Sequence, residues 1–247
     1  MTVFDIYNFL DSRFPFSDAC EWDNSGLLIG DKNATVTKAI IALDCTDSVI
    51  AQAKQIGAEL IITHHPIIFP EINSVLAEGL IHRVINSGIS VISAHTNLDK
   101  AKGGVNDCLA KALGLKKIKV LHTKDNFSIR IGELGNEMSP QAFAGFVGEK
   151  LNYIPRFCVG NRNIKRVAVC GGSGGDFLDD AIKANADAYV TADVKHHVFL
   201  NAAHHGITLI DGGHFATEDT VIEPLRSILQ KQFPDILFTA NHLSVIR

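Results

Sequence analysis

The sequence predicts an α/β protein: two similar α/β domains with largely parallel sheets flanked by helices, and a metal site between them. Three observations predict it. Short runs of strand type alternate with helical patterns along the chain. One half can be laid on the other. Histidines, paired or followed by acids, collect where buried strands end.

The elements follow in order. "TVFDIYNFLDSRF" places Val3, Ile6, Tyr7 and Leu10 at helical spacing. "WDNSGLLIG" reads as a loop entering a short strand, and "KAIIALD" as a buried strand. "DSVIAQAKQIG" opens with Asp47 and Ser48 as caps and stops at Gly57, which marks both ends of a helix. Strand "AELIITHH", helix "LAEGLIHRVINSG", strand "ISVISAH" and helix "GVNDCLAKALG" complete the first half. In the second half "NFSIRIGEL" is a strand, and "SPQAFAGFVGEKLN" is a helix capped by Ser139 with Pro140 in its first turn. Strand "RVAVCGG", helix "DFLDDAIKANA", strand "DAYVTADV" and helix "KHHVFLNAAHHG" come next. Strand "ITLIDGG", helix "EDTVIEPLRSILQKQF" and strand "DILFTANH" close the chain. Such alternation suits sheets with both faces covered by helices.

The halves share a pattern. One constant offset lays Lys38 on Arg166, Ala58 on Ala186 and Thr63 on Thr191. A slightly shorter one lays "SAHTNLD" on "DGGHFATE", pairing His95 with His214 and Asp99 with Glu218. The expected boundary lies near "KVLHTKDN", giving domains 1–125 and 126–247, with the last strand able to return to the first domain.

Composition narrows the function. The chain has 247 residues, 46% hydrophobic and 20% charged, with a net charge of −4, and no Lys/Arg run points to nucleic acid. Its five cysteines are scattered without a C-x-x-C pair, which suits a reducing cytoplasm rather than a disulfide framework. "MTVFDIYNFLDSRF" lacks the basic and apolar regions of a signal peptide, and no apolar run reaches membrane-spanning length. The expected location is cytoplasmic, with no membrane partner.

Histidine stands out: there are eleven. It is the commonest metal ligand and the usual acid/base near neutral pH. His64 and His65 end a buried strand, the edge where open α/β sheets build their sites. Alone, such a pair reads equally as one core and one exposed residue. His95 and Asp99 follow the next strand, where Asp99 also reads as a helix cap. His214 and Glu218 follow a third, where Glu218 also reads as an acid serving a helix N-terminus. Together these residues exceed the three or four ligands of one zinc ion. They suit two divalent metals sharing a carboxylate, with Zn, Fe, Mn, Co and Ni all compatible. The loop "CGGSGGDF" reads as a plain turn or as a substrate-facing one, and the role of Gly171–Gly175 stays open. His204 and His205 close a helix, where the dipole favours them, while His196 and His197, just beyond strand "DAYVTAD", read either as a helix opening or as lining the site.

"WDNSGLLIG", "ITHHPIIF", "AHTNLD" and "GGHFATE", in this order, resemble the Nif-three-like dinuclear metal-centre family, the GTP cyclohydrolase 1 type 2 homologues, in its short form without an inserted domain. The resemblance covers essentially the whole chain. It implies His64 and His65 on different metals, Asp99 beside His65, His214 beside His64, and Glu218 bridging both. It implies His95 as a nearby catalytic residue rather than a ligand, and a homohexamer as the assembly. The activity it implies is metal-dependent hydrolysis that opens the guanine imidazole ring of GTP, a small-molecule substrate. The alternative is a metal-binding or metal-delivery protein without turnover.

Overall fold

The computed structural model describes residues 1–69 and 71–244. The first half runs α1 (Val3–Arg13), β1 (Gly26–Ile29), β2 (Lys38–Ala42), α2 (Asp47–Ile56), β3 (Leu60–Thr63), α3 (Leu80–Ser87), β4 (Ser90–Ser93), α4 (Thr96–Lys100) and α5 (Val105–Ala112). There follow β5 (Lys116–His122), β6 (Ser128–Met138), α6 (Pro140–Leu151), β7 (Arg156–Cys158), β8 (Ile164–Ser173), α7 (Leu178–Lys183) and β9 (Ala188–Ala192). The chain ends with α8 (His196–His204), β10 (Thr208–Asp211), α9 (His214–Glu218), α10 (Ile222–Gln232) and β11 (Leu237–Ala240).

Local chemistry sets the helix ends. Thr2 and Asp5 form a capping box at the start of α1. At α2 the cap is Thr46, whose hydroxyl accepts from the Val49 N–H, rather than the expected Asp47 or Ser48. Gly57 ends α2 at φ +70, a conformation open to glycine at little cost. Ser139 caps α6 through the Ala142 N–H, with Pro140 in the first turn.

The chain divides into two compact units, residues 1–98 with 222–247, and residues 99–221. The first boundary falls at residue 98 rather than the expected 125, and strand pairing assigns the segments on either side. β11 adds parallel to β2, so the C-terminal segment belongs with the first sheet. β5 pairs with β6 and extends the second.

The first sheet has the order β1-β4-β3-β2-β11 and is parallel except at β1. The second has the order β5-β6-β8-β9-β10-β7 and is mixed, parallel only across β8-β9-β10. The expectation of largely parallel sheets therefore holds for the first and not for the second. The edge strands β5 and β7 make the difference. β5 is mostly exposed and lysine-rich, and β7 spans three residues, so neither carries the buried pattern that marks a strand in sequence.

Alternation along the strands builds a core on each face. In the first unit Ile40, Ile61 and Val91 pack with Val49, Ala53 and Val84 of α2 and α3. In the second, Val167, Val169, Ala188 and Val190 pack with Leu109 of α5 and Phe143 and Val147 of α6. Their neighbours Ala168, Cys170 and Tyr189 pack with Leu178 of α7 and Ala202 of α8. Each unit thus repeats one scheme: three adjacent parallel strands, then a short helix, α4 or α9, directly after the third.

Candidate metal centre

In the first unit, β3 stops at Thr63 and leaves His64 and His65 just past the strand's carboxyl end. The backbone still follows the sheet there: the His64 N–H donates to the Ala42 carbonyl (3.2 Å) and the His65 N–H to the Leu43 carbonyl (2.8 Å). Thr63 donates its hydroxyl to the His65 carbonyl at 2.8 Å and meets the Ser93 hydroxyl at 2.7 Å, pinning this corner to β4. His95 follows β4 and precedes α4. Ring centroids lie 4.9 Å apart for His64 and His65, 5.1 Å for His64 and His95, and 5.6 Å for His65 and His95. A ligand atom from each falls within 4.8 Å of the others. The three can hold a metal ion as a group, and by distance alone His95 is as well placed as its neighbours.

Each ring is oriented from behind. His64 Nδ1 donates to the Ala94 carbonyl at 2.9 Å, His65 Nδ1 to Asp44 at 2.8 Å, and His95 Nδ1 to Asp23 at 2.8 Å. Every acceptor is a carbonyl or carboxylate oxygen, so each Nδ1 carries the hydrogen, and in the neutral ring the lone pair sits on Nε2. Acceptors of this kind behind histidines are typical of metal sites.

Asp23 does more than orient His95. It also accepts from the Thr96 N–H (3.0 Å) and the Thr96 hydroxyl (2.5 Å), capping α4. Burial pushes the Asp23 carboxyl up, but the hydrogen bonds from His95 and Thr96 outweigh it and hold it well below the usual carboxylate range.

In the second unit α9 opens at His214 and buries Glu218 one turn later. His214 Nδ1 donates to Asp193 at 2.7 Å, and Nε2 lies 3.1 Å from a Glu218 oxygen. Burial opposes the charged imidazole, but Glu218 and Asp193 outweigh it and raise its pKa to about 9. Asp99 brings a carboxylate oxygen within 4.8 Å of Glu218, and both residues are buried. Two buried carboxylates this close call for positive charge. A divalent cation is suited to supply it, and the His214–Glu218 separation fits two ligands roughly 2.1 Å from one ion as well as a hydrogen bond.

Asp99 is held through its backbone. Asn106, fully buried, donates to the Asp99 carbonyl at 3.1 Å, and its own carbonyl accepts the Gly171 N–H at 2.7 Å. Arg130, also buried, donates to the Lys100 and Ala101 carbonyls at 2.9 Å and pairs with Asp107, shaping the turn after α4.

The glycine loop now has a reason. A Cβ on Gly172 (φ +62) would lie 2.0 Å from Glu218 Oε1, and one on Gly174 would lie 2.5 Å from the Thr191 hydroxyl. The N–H groups of Gly171, Gly172 and Gly174 are spent on Asn106, Thr217 and Thr191. These three groups are therefore not offered to a phosphate, and at Gly172 the loop lets backbone close on Glu218. His196, His197, His204 and His205 lie exposed at the ends of α8.

Sequence reasoning missed Asp44, Asp193 and Asn106 and gave Asp23 no role. Asp44 and Asp193 follow the ends of β2 and β9, the same sign that picked out the histidines. Asp193 stands where the repeat places the counterpart of His65.

Imidazoles and carboxylates gathered at the strand ends of an α/β fold define a candidate metalloprotein. Over residues 1–245 the chain matches Duf34/NIF3 (NGG1p interacting factor 3), and it belongs to that family. A Clostridium perfringens (strain 13 / Type A) protein named GTP cyclohydrolase 1 type 2 homolog is 36% identical, over 98% of this chain and 96% of that one. The crystal structure of a Staphylococcus aureus hypothetical protein superposes with a TM-score of 0.92 at 34% identity, covering 100% of this chain and 98% of that one. A Bacillus cereus protein related to NIF3 superposes with a TM-score of 0.91 at 25% identity, covering 99% and 98%. Among the described residues no helix is long and apolar enough to cross a membrane, and all five cysteines are free.

Proposed function

We propose that His64, His65, Asp99, His214 and Glu218 hold two divalent metal ions and that the chain is a hydrolase of the GTP cyclohydrolase 1 type 2 kind. His64 and His65 serve different metals, Asp99 joins His65, His214 joins His64, and Glu218 bridges. The observation that supports this is the oxygen acceptor behind each histidine, which leaves the Nε2 lone pair to serve as the ligand. The name borne by the Clostridium perfringens relative supports the reaction. A bound metal pair supplies an activated water and a Lewis acid at neutral pH. His95 carries the proton: Asp23 holds its Nδ1–H, so Nε2 faces the reaction as a base. Hydrolysis opens the guanine imidazole ring at C8 and releases that carbon as formate. The family resemblance of its motifs supports a homohexamer, and the scattered cysteines support a cytoplasmic location; sedimentation reads the assembly.

The test is formate release from GTP by the metal-loaded protein. Glu218→Ala is expected to lose metal and activity together. His95→Ala is expected to keep its metal while turnover falls roughly 10²- to 10⁴-fold. No turnover with any nucleotide, combined with transfer of the metals to an apoprotein, would establish metal delivery instead.

A further inference from the structure

We propose that Trp22 and Phe69 form an aromatic platform beside His95 that binds a planar heteroaromatic ring of purine size. The proposal deepens the hydrolase reading and rests on it for the identity of the ring. Trp22 is 62% exposed and Phe69 49%, unusual for side chains so large. Both meet the His95 ring edge-on, at centroid distances of 6.1 and 6.3 Å. They meet each other at 6.0 Å with planes 68° apart. Such contacts set the edge of one ring against the face of another, and with 62% of Trp22 and 49% of Phe69 still exposed, much of both rings stays open to solvent. Other aromatic pairs stack, Phe4 on Tyr7 at 10° and Tyr7 on Phe16 at 22°, while Phe9 and Phe233 also meet edge-on at 82°.

The platform is built, not loose. On one side of Trp22 the Cys20 N–H donates to the Thr96 hydroxyl at 2.8 Å. On the other, Asp23 is fixed to His95 and Thr96. Asn24 donates its amide to the Ile68 carbonyl at 2.8 Å, tying the Trp22 loop to the residue before Phe69. Both rings are therefore placed before any ligand arrives, which lowers the entropic cost of binding. An aromatic face at this edge stacks on a heterocycle and presents it to His95, whereas a phosphate gains nothing from it and a small sugar far less.

Trp22 is the chain's single tryptophan, so its fluorescence reports on the platform alone. The experiment titrates the full chain, with and without metal, with guanosine and with ribose 5-phosphate. Guanosine is expected to quench Trp22 saturably, and ribose 5-phosphate to leave it unchanged. Phe69→Leu should weaken guanosine binding roughly fivefold or more, and Trp22→Ala, followed by calorimetry, by up to about a hundredfold. Both side chains are exposed, so the melting temperatures should stay at the wild-type value. Unchanged emission with millimolar guanosine would overturn the platform, as would wild-type guanosine affinity in both variants. Saturable quenching without formate release keeps the platform and removes the hydrolase. Formate release at wild-type KM in both variants keeps the hydrolase and removes the platform.

Discussion

Asp23→Ala is the most revealing single change in the first unit. The side chain is 0% exposed and accepts from His95 Nδ1, the Thr96 N–H and the Thr96 hydroxyl. Loss of the helix cap costs about 1 kcal/mol, and hydrogen bonds to a buried charge contribute roughly 1.5–3 kcal/mol. These terms overlap, so the expected loss is about 3 kcal/mol, or roughly 6–12 °C in melting temperature for a chain of this size. The pH dependence has a definite sign. The folded carboxyl is held below its unfolded value, so its contribution is fully present above the unfolded pKa of about 3.9. As pH falls below that value the unfolded chain takes up the proton first, and the contribution shrinks. The gap between wild type and Asp23→Ala should be widest near pH 7 and narrow below about pH 4. Asp23→Asn keeps the shape with one acceptor fewer, so its gap should be smaller but narrow by the same amount at low pH, because the titrating group is the wild-type carboxyl. Thermal unfolding from pH 3.5 to 7 reads both. A gap under about 1 kcal/mol, or one equal at the two ends of the series, would refute the reasoning.

Two further predictions concern the second unit. Gly172→Ala places a Cβ 2.0 Å from Glu218 Oε1 at φ +62. It should cost about 1–2 kcal/mol for the left-handed backbone alone and lower the bound metal per chain. Gly135→Ala, whose Cβ would meet nothing within 4 Å, should change neither unfolding nor metal content. In the metal-free chain His214 titrates at about 9, so a metal must displace its proton at neutral pH. Zinc affinity should rise about tenfold per pH unit between pH 6.5 and 8.5 for that proton and flatten above pH 9. Calorimetry in buffers of different ionisation enthalpy reads the proton release, and an affinity independent of pH would contradict the assigned ligand.

The elements with buried periodicity were legible in the sequence: β2, β3, β4, β8, β9 and β10, and the helices α1, α2 and α6, with Gly57 as the stop of α2 and Ser139 as the start of α6. The strand-end histidines and their acids were legible too, because a buried run that stops at a polar residue marks a sheet edge. β5 and β7 were not, since an exposed edge strand has no buried face to leave a pattern. The loop "CGGSGGDF" left two readings open in sequence. In the fold its N–H groups go to Asn106, Thr217 and Thr191, residues far away along the chain.

The sequence by itself determined the α/β class, the internal repeat and the identity of the imidazoles and carboxylates, because these follow from local periodicity and residue type. Only the tertiary structure decided which oxygen stands behind each histidine, and so which ring nitrogen faces outward. It also decided that β11 joins the first sheet and that Gly172 must lack a side chain beside Glu218. Those facts depend on groups tens of residues apart meeting within 3 Å or so, and no local pattern encodes such a distance.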